Sequence, residues 1–406
     1  MREGGRRASI KAQETASCAG SRVMSSEHPT PKPRSIALLL TTIAWLVYSS
    51  GGWTQTAKSS PDASARVDAL LAPWATRDSP GAAVMVIREG HVLHSKGYGL
   101  ANRAQRQPFT TSTPSLIGSM AKQFTAMAIM LLAEGGALKY DDTLSRFFPD
   151  LRPDGGRITI RQLLNHTAGL ARFEDVLASL SSNSSTPKDV LRVYLSRELR
   201  FKPGDGWEYS NGGYVVLTHV IAAAAGKPYI HFMRERVFNR LNMRNSFFME
   251  EPAFLSARRA TGYFREWYGL KVSETLEPLR FYNGSGDLFT TAEDLYLWDQ
   301  ALYPDQLVKR DTLEQAFTGG RLNDGSPLLY GFGWEVFRYK ETRYAIHAGG
   351  WAGFKSFIIR FPDHGVSVIA LSNSDRFDIN KLPVAIARIY LADAVPLPKK
   401  IGERGE

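Results

Sequence analysis

Ser119-Met120-Ala121-Lys122 places a hydroxyl and an amine three residues apart, where a Thr/Pro/Gly-rich loop runs into a strongly apolar helical pattern. On a helix that spacing puts both side chains on one face, at an N-terminus whose free N–H groups favour developing negative charge. A serine hydroxyl is a weak nucleophile, and a desolvated, neutral lysine beside it is one way to take its proton. Acyl transfer is the chemistry this permits. A Ser N-cap followed by a solvated lysine has the same spelling. Ser185-Thr186-Pro187-Lys188 repeats it in a Ser-rich stretch, where the proline prevents a helix-interior pair.

Two further groups of residues keep company with the first match. Tyr209-Ser210-Asn211 follows a Pro/Gly loop; a phenolate at Tyr209, its pKa lowered by a nearby ammonium, would share base and acid work with Lys122. Asn211 is suited to hold a substrate amide or the lysine. A packed tyrosine with an Asn cap is the plainer alternative. His347-Ala348-Gly349 ends an expected strand and is followed by Gly350. Glycines there let a substrate backbone approach, and the Gly350 N–H would join the Ser119 N–H in holding an oxyanion. A Gly-rich strand-to-loop junction is the alternative.

The elements that must position these groups can be read coarsely. Ala65 to Thr76 has helical periodicity. Gly81 to Arg88 is a β-branched apolar run, Glu89-Gly90 a turn and His91 to Tyr98 a return strand. From Pro114 to Met249 the pattern is mostly α, with helices expected at Met120 to Leu138, Ile160 to Leu164, Val190 to Leu195 and Tyr214 to Ala225. Strands return at Thr342 to His347, Phe354 to Phe361 and Val366 to Ser372, and Asn380 to Ala394 reads as a closing helix. One sheet is therefore expected from both chain ends, with an all-α insert and a cleft between them, the usual place for a small-molecule site.

In the order and spacing of Ser119-x-x-Lys122, Tyr209-x-Asn211 and His347-x-Gly349, the chain resembles the serine β-lactamase and penicillin-binding protein superfamily, specifically its class C-like serine hydrolases. Gly97 to Asn102, Ile158 to Leu170 and Gly284 to Leu295 are similar to further family segments, so the resemblance covers about residues 62 to 392. It implies an α/β (α+β) fold, a three-layer αβα sandwich with an inserted all-α subdomain. It also implies an acylated Ser119, Lys122 and Tyr209 as base and acid, and Asn211, His347, Gly349 and Gly350 on the substrate side. No metal or cofactor is implied. His347-Ala348-Gly349 stands where many penicillin-recognising relatives carry Lys-Thr-Gly, and it supplies neither a permanent charge nor a hydroxyl. A carboxylesterase or D-amino-acid peptide hydrolase is thus expected ahead of a class C-like β-lactamase. A non-catalytic protein that binds cell-wall peptide is the alternative of another class.

Composition agrees with an enzyme-sized body. The 406 residues are 43% hydrophobic, ample for a core, which excludes disorder for the bulk. Of the net charge of +10, residues 1–58 hold eight Lys/Arg against three Asp/Glu, so half the excess precedes the body. What remains is dispersed, and nucleic acid is not an expected partner. A small molecule or short peptide is. The single cysteine, Cys18, precedes the apolar stretch from Ile36 to Tyr48, which excludes disulfides and thiol chemistry in the body. That stretch of 13 residues, after Lys32 and Arg34, reads as a secretory signal too short to span a bilayer. The expected organisation is a leader at 1–57, a hydrolase domain at 62–394 and a tail at 395–406. The product is exported to the periplasm or outside, or else anchored by an uncleaved leader. His91 and His94 fall on opposite strand faces and His166 is expected to be structural, so no metal pair is read from either.

Overall fold

The computed structural model describes residues 61–149, 153–179, 187–266, 269–273, 276–391 and 395–402. The chain divides into Met1–Trp53, wholly outside the described residues, and Thr54–Glu406, to which everything below belongs. The expected leader, Cys18, Ser185 and the ends of the closing helix and tail also lie outside the described residues.

Strand β1 (Ala82–Arg88) shows why the sheet is central. Ala82, Val84 and Val86 face one apolar cluster, while Ala83, Met85 and Ile87 face another, so a continuous apolar run is buried on both faces. Glu89 and Gly90, both at positive φ, turn the chain into β2 (His91–Tyr98). The late strands are β3 (Glu335–Tyr339), β4 (Thr342–Trp351), β5 (Phe354–Phe361) and β6 (Val366–Ser372). They assemble in the order β3-β4-β5-β6-β1-β2, antiparallel throughout. The pairing of β1 with β6 is the expected joining of the two chain ends.

Helices α1 (Pro61–Leu71) and α5 (Leu382–Tyr390) cover one face, contributing Val67, Leu71, Val384 and Ile386. Helices α2 (Ala121–Glu134) and α4 (Ala292–Ala301) pack on the other, and α3 (Asn211–Ala225) lies against α2. The result is the αβα sandwich. α2 is rich in Ala, Met and Leu, good helix formers, and is buried on almost every side because sheet and helical region both pack on it. The Ser119 end of α2 is thereby held from two directions.

Three expectations change. The first helix stops at Leu71, because Pro73 cannot donate an N–H, and a 3₁₀ turn over Ala72–Trp74 follows. The middle is not all α: Ser115–Leu116, Leu288–Thr290 and Phe247–Phe248 form a three-stranded patch, and Tyr263–Glu266 pairs with Gly269–Val272. β4 continues through Gly350 to Trp351 instead of ending at His347.

One buried ion pair ties sheet to helix. Arg360 Nε on β5 donates to Asp299 Oδ1 on α4 at 2.8 Å, and Ser367 Oγ donates to the same oxygen at 2.7 Å. Asp299→Ala leaves the guanidinium buried without a counter-charge, so urea denaturation is expected to show a loss of about 3–5 kcal/mol.

Candidate active site

Ser119 sits in a 3₁₀ turn, Gly118–Met120, that leads directly into α2. Gly118 has φ +51, and a Cβ there would lie 2.8 Å from the Gly350 nitrogen and 3.1 Å from its oxygen. Only glycine allows the turn to press this closely on β4. A Cβ on Gly349 would overlap the Ile117 carbonyl oxygen and come 2.6 Å from Ser356 Oγ, which itself donates to that oxygen at 2.8 Å. The two glycine positions are what bring Ser119 against the 349–350 edge.

Lys122 is fully buried and makes three contacts through Nζ: Ser119 Oγ at 3.1 Å, Asn211 Oδ1 at 2.8 Å and the Ser285 carbonyl oxygen at 2.8 Å. Burial penalises its ammonium and pushes its pKa well below the usual lysine value. Asn211 reaches it because Ser210 caps α3, its hydroxyl accepting from Gly213 N–H at 3.0 Å and fixing where the helix starts. Ser285 reaches it from the Gly284–Asp287 turn, in which Asp287 Oδ1 accepts from Gly284 N–H and Thr125 Oγ1 donates to the Gly284 carbonyl.

Tyr209 precedes that cap, with Lys122 Nζ 4.8 Å from its ring centroid. The residue as a whole is 38% exposed, its ring set beside those of His166 and His347. Burial pushes its pKa up, and the Ser119 hydrogen bond offsets only part of this. Burial thus favours the neutral phenol over the phenolate, because it penalises the charged form.

His347 is buried, with Nδ1 2.8 Å from the Ala348 carbonyl oxygen and Nε2 2.9 Å from the Tyr330 hydroxyl. A carbonyl only accepts, so Nδ1 carries the proton and Nε2 accepts from Tyr330. Burial first, then the Lys122 charge, lower its pKa to about 3, so the ring is neutral. Both ring nitrogens are engaged, and His347 contributes a wall to the site and no charge. Gly349 and Gly350 follow on the same strand.

The sequence-derived residues Ser119, Lys122, Tyr209, Asn211, His347, Gly349 and Gly350 thus converge. Three further participants were not among the expected site residues. Ser285 acts through a backbone carbonyl, which leaves no mark on residue type. Tyr330 lies outside every motif. His166, expected to be structural, is a hydrogen-bonded positioning residue: at φ +62 its Nδ1 accepts from Ser210 N–H at 3.1 Å, and its ring centroid is 4.5 Å from that of Tyr209.

Beside Tyr209 and Asn211 opens a cleft of about 450 Å³, lined by Leu163, Leu170, Phe173 and Phe201 with Arg172, Asp175 and Glu208. Trp207, 46% exposed, stands near, its ring centroid 6.3 Å from that of His166, whereas Tyr214 and Phe354 are core. Half-buried Trp351 packs edge-on against Tyr282 at 5.0 Å. Among the described residues no His/Cys/Asp/Glu cluster could hold a metal, and no helix is long and apolar enough to cross a membrane.

Comparisons with known proteins place the fold and the family. A family model described as Beta-lactamase matches residues 65–390. Penicillin-binding protein 4* of Bacillus subtilis (strain 168) is 33% identical over 309 residues, covering 72% of this chain and 68% of that protein. The putative penicillin-binding protein PbpX of the same organism is 28% identical, covering 65% of this chain and 64% of that protein, so the chain spans about two thirds of these relatives. Among solved structures, the D-amino acid amidase from Ochrobactrum anthropi SV3 complexed with D-phenylalanine superposes with a TM-score of 0.69 at 26% identity, over 81% of this chain and 98% of that one. The octameric penicillin-binding protein homologue from Pyrococcus abyssi gives 0.70 at 25%, over 81% and 77%. With the fold, the converging residues and the family match together, the chain belongs to the beta-lactamase family and is a serine hydrolase of the β-lactamase and penicillin-binding protein superfamily.

Proposed function

We propose that the protein is an exported hydrolase that cleaves an ester or amide through an acyl-enzyme on Ser119, with carboxylic esters and D-amino-acid amides or peptides as its substrates. The observation that carries this reading is the set of contacts at Lys122 Nζ. A neutral amine has two hydrogens and one lone pair; Asn211 Oδ1 and the Ser285 carbonyl take the hydrogens, which directs the lone pair at Ser119 Oγ. Ser119 then gives its proton to Lys122 as Oγ attacks the substrate carbonyl carbon. The N–H groups of Ser119 and Gly350 hold the oxyanion. The bond to the leaving group breaks as Tyr209 gives it a proton and recovers one from Lys122. Water attacks the acyl carbonyl as the same pair takes its proton; the bond to Ser119 Oγ then breaks, the pair returns that proton to Oγ, and the acid leaves with Ser119 restored.

The neutral His347 supports esters and amides over β-lactams, because no fixed charge stands at the third-motif position. The likeness to a D-amino acid amidase supports the D-amide side. Export rests on the apolar stretch Ile36 to Tyr48, and N-terminal sequencing of secreted protein tests it.

Initial rates on p-nitrophenyl butyrate, D-phenylalaninamide, L-phenylalaninamide and a chromogenic cephalosporin test the substrate reading. Saturable turnover of the ester and of the D-amide ahead of its L-form is the expected result; turnover of the cephalosporin alone contradicts it. Gly349→Ala, whose methyl would displace the Ile117–Ser119 turn, is expected to lower kcat/KM by about 100-fold. Circular dichroism should show the fold kept, because the overlap is local to the turn.

A further inference from the structure

We propose that Asp287 is a positioning residue that sets Lys122 and Ser119 against one another, its side chain fixing a turn whose backbone reaches both. The segment from Gly284 to Leu288 touches the base at one end and the approach to the nucleophile at the other. The Ser285 carbonyl accepts from Lys122 Nζ at 2.8 Å, and the Leu288 carbonyl accepts from the Ile117 N–H, two residues before Ser119, at 3.0 Å. A Cβ on Gly286, between them, would lie 3.9 Å from the Gly118 carbonyl carbon, so the segment runs alongside the nucleophile's turn. Asp287 folds back across it, Oδ1 accepting from Gly284 N–H at 2.9 Å. Gly284, at φ +67, is also held by Thr125 Oγ1, which donates to its carbonyl at 2.6 Å. Thr125 lies on α2, one turn after Lys122, so the segment is braced against the helix that carries the base. Without Asp287 the buried Gly284 N–H has no acceptor, and the turn must shift to find one, taking the Ser285 carbonyl off Nζ.

The brace is a neutral acid. Asp287 is buried, and its Oδ2 has no hydrogen-bond partner among the described residues. Burial first, with Glu250 and Glu251 adding repulsion, holds its pKa well above the usual carboxylate value, and the Gly284 N–H offsets only part of this. The proton therefore sits on Oδ2 while Oδ1 remains the acceptor, and the segment that bears on Lys122 carries no charge. A carboxamide has the same shape and the same acceptor, so asparagine can replace the acid here.

The inference rests on the Ser119 reading, so Ser119→Ala is carried through the same measurement. Stopped-flow release of p-nitrophenolate from p-nitrophenyl butyrate, with full-length enzyme in excess, separates the acylation rate constant from the dissociation constant of the ester. Asp287→Leu keeps the branched shape and removes the acceptor; acylation is expected to slow by about 30- to 100-fold while the dissociation constant stays within about threefold. Asp287→Asn keeps the Gly284 hydrogen bond and is expected to acylate within about threefold of wild type. A merely structural role would lower the folded fraction by circular dichroism and leave the rate per folded molecule unchanged. Wild-type acylation in folded Asp287→Leu, acylation lost in folded Asp287→Asn, or an Asp287→Leu protein that does not fold overturns the proposal and leaves Ser119 in place. Release that persists in Ser119→Ala removes the nucleophile, and the proposal with it.

Discussion

Ser119→Ala is expected to lower kcat/KM for p-nitrophenyl acetate and butyrate by about 10⁴-fold or more, while leaving the melting temperature close to wild type. The size follows from what is lost: among the described residues Ser119 Oγ is the hydroxyl hydrogen-bonded to Lys122 Nζ, so the covalent route closes, and groups that act as a unit fail together. The stability expectation follows from the fold. The turn is pinned by Gly118, Gly349 and Ser356 and not by the Ser119 side chain. Stopped-flow and steady-state rates, with a denaturation curve, check both parts. A residual rate within tenfold of wild type would place the chemistry elsewhere.

The second large effect is at Lys122. Replacement by methionine removes the base and is expected to cost about 10³- to 10⁴-fold in kcat. Lys122→Arg should be no better, because a guanidinium stays protonated and cannot take the Ser119 proton. The wild-type pH profile of kcat/KM should show an acid limb that rises as Lys122 loses its proton, at a pH well below the ordinary lysine value. The sign for stability is the same. Burial lowers the folded pKa beneath the unfolded one, so the unfolded chain binds more protons between the two, and stability rises with pH across that window. His347 titrates near 3 and gives no limb in the neutral range.

Much of the site was legible because its chemistry lives in side-chain type and spacing. Ser119 and Lys122 share one turn of helix, and Tyr209, Ser210 and Asn211 share one cap. β1 and β2 were readable because Ala82–Arg88 is apolar without a break and Glu89-Gly90 can only turn. What escaped was carried by backbone or by register. Edge strand β3 is half-buried along most of its length and has no two-residue alternation to announce it. The patch strands at 115–116, 247–248 and 288–290 are too short to carry a period. The Ser285 carbonyl could be any residue's carbonyl. The neutral state of Tyr209 depends on how deeply its hydroxyl end is packed, which no local sequence encodes.

Neutral esters need only Ser119, Lys122, Tyr209 and the oxyanion N–H groups.

The central claim is the covalent intermediate on Ser119. Its most direct test is intact-protein mass spectrometry after rapid acid quench during turnover of a p-nitrophenyl ester, followed by peptide mapping. The account predicts a mass increase equal to one acyl group, carried by the peptide containing Ser119, absent from Ser119→Ala and accumulating in a variant whose deacylation is slowed. An adduct on a different residue, or ester turnover with no adduct at any quench time and in any variant, would contradict it.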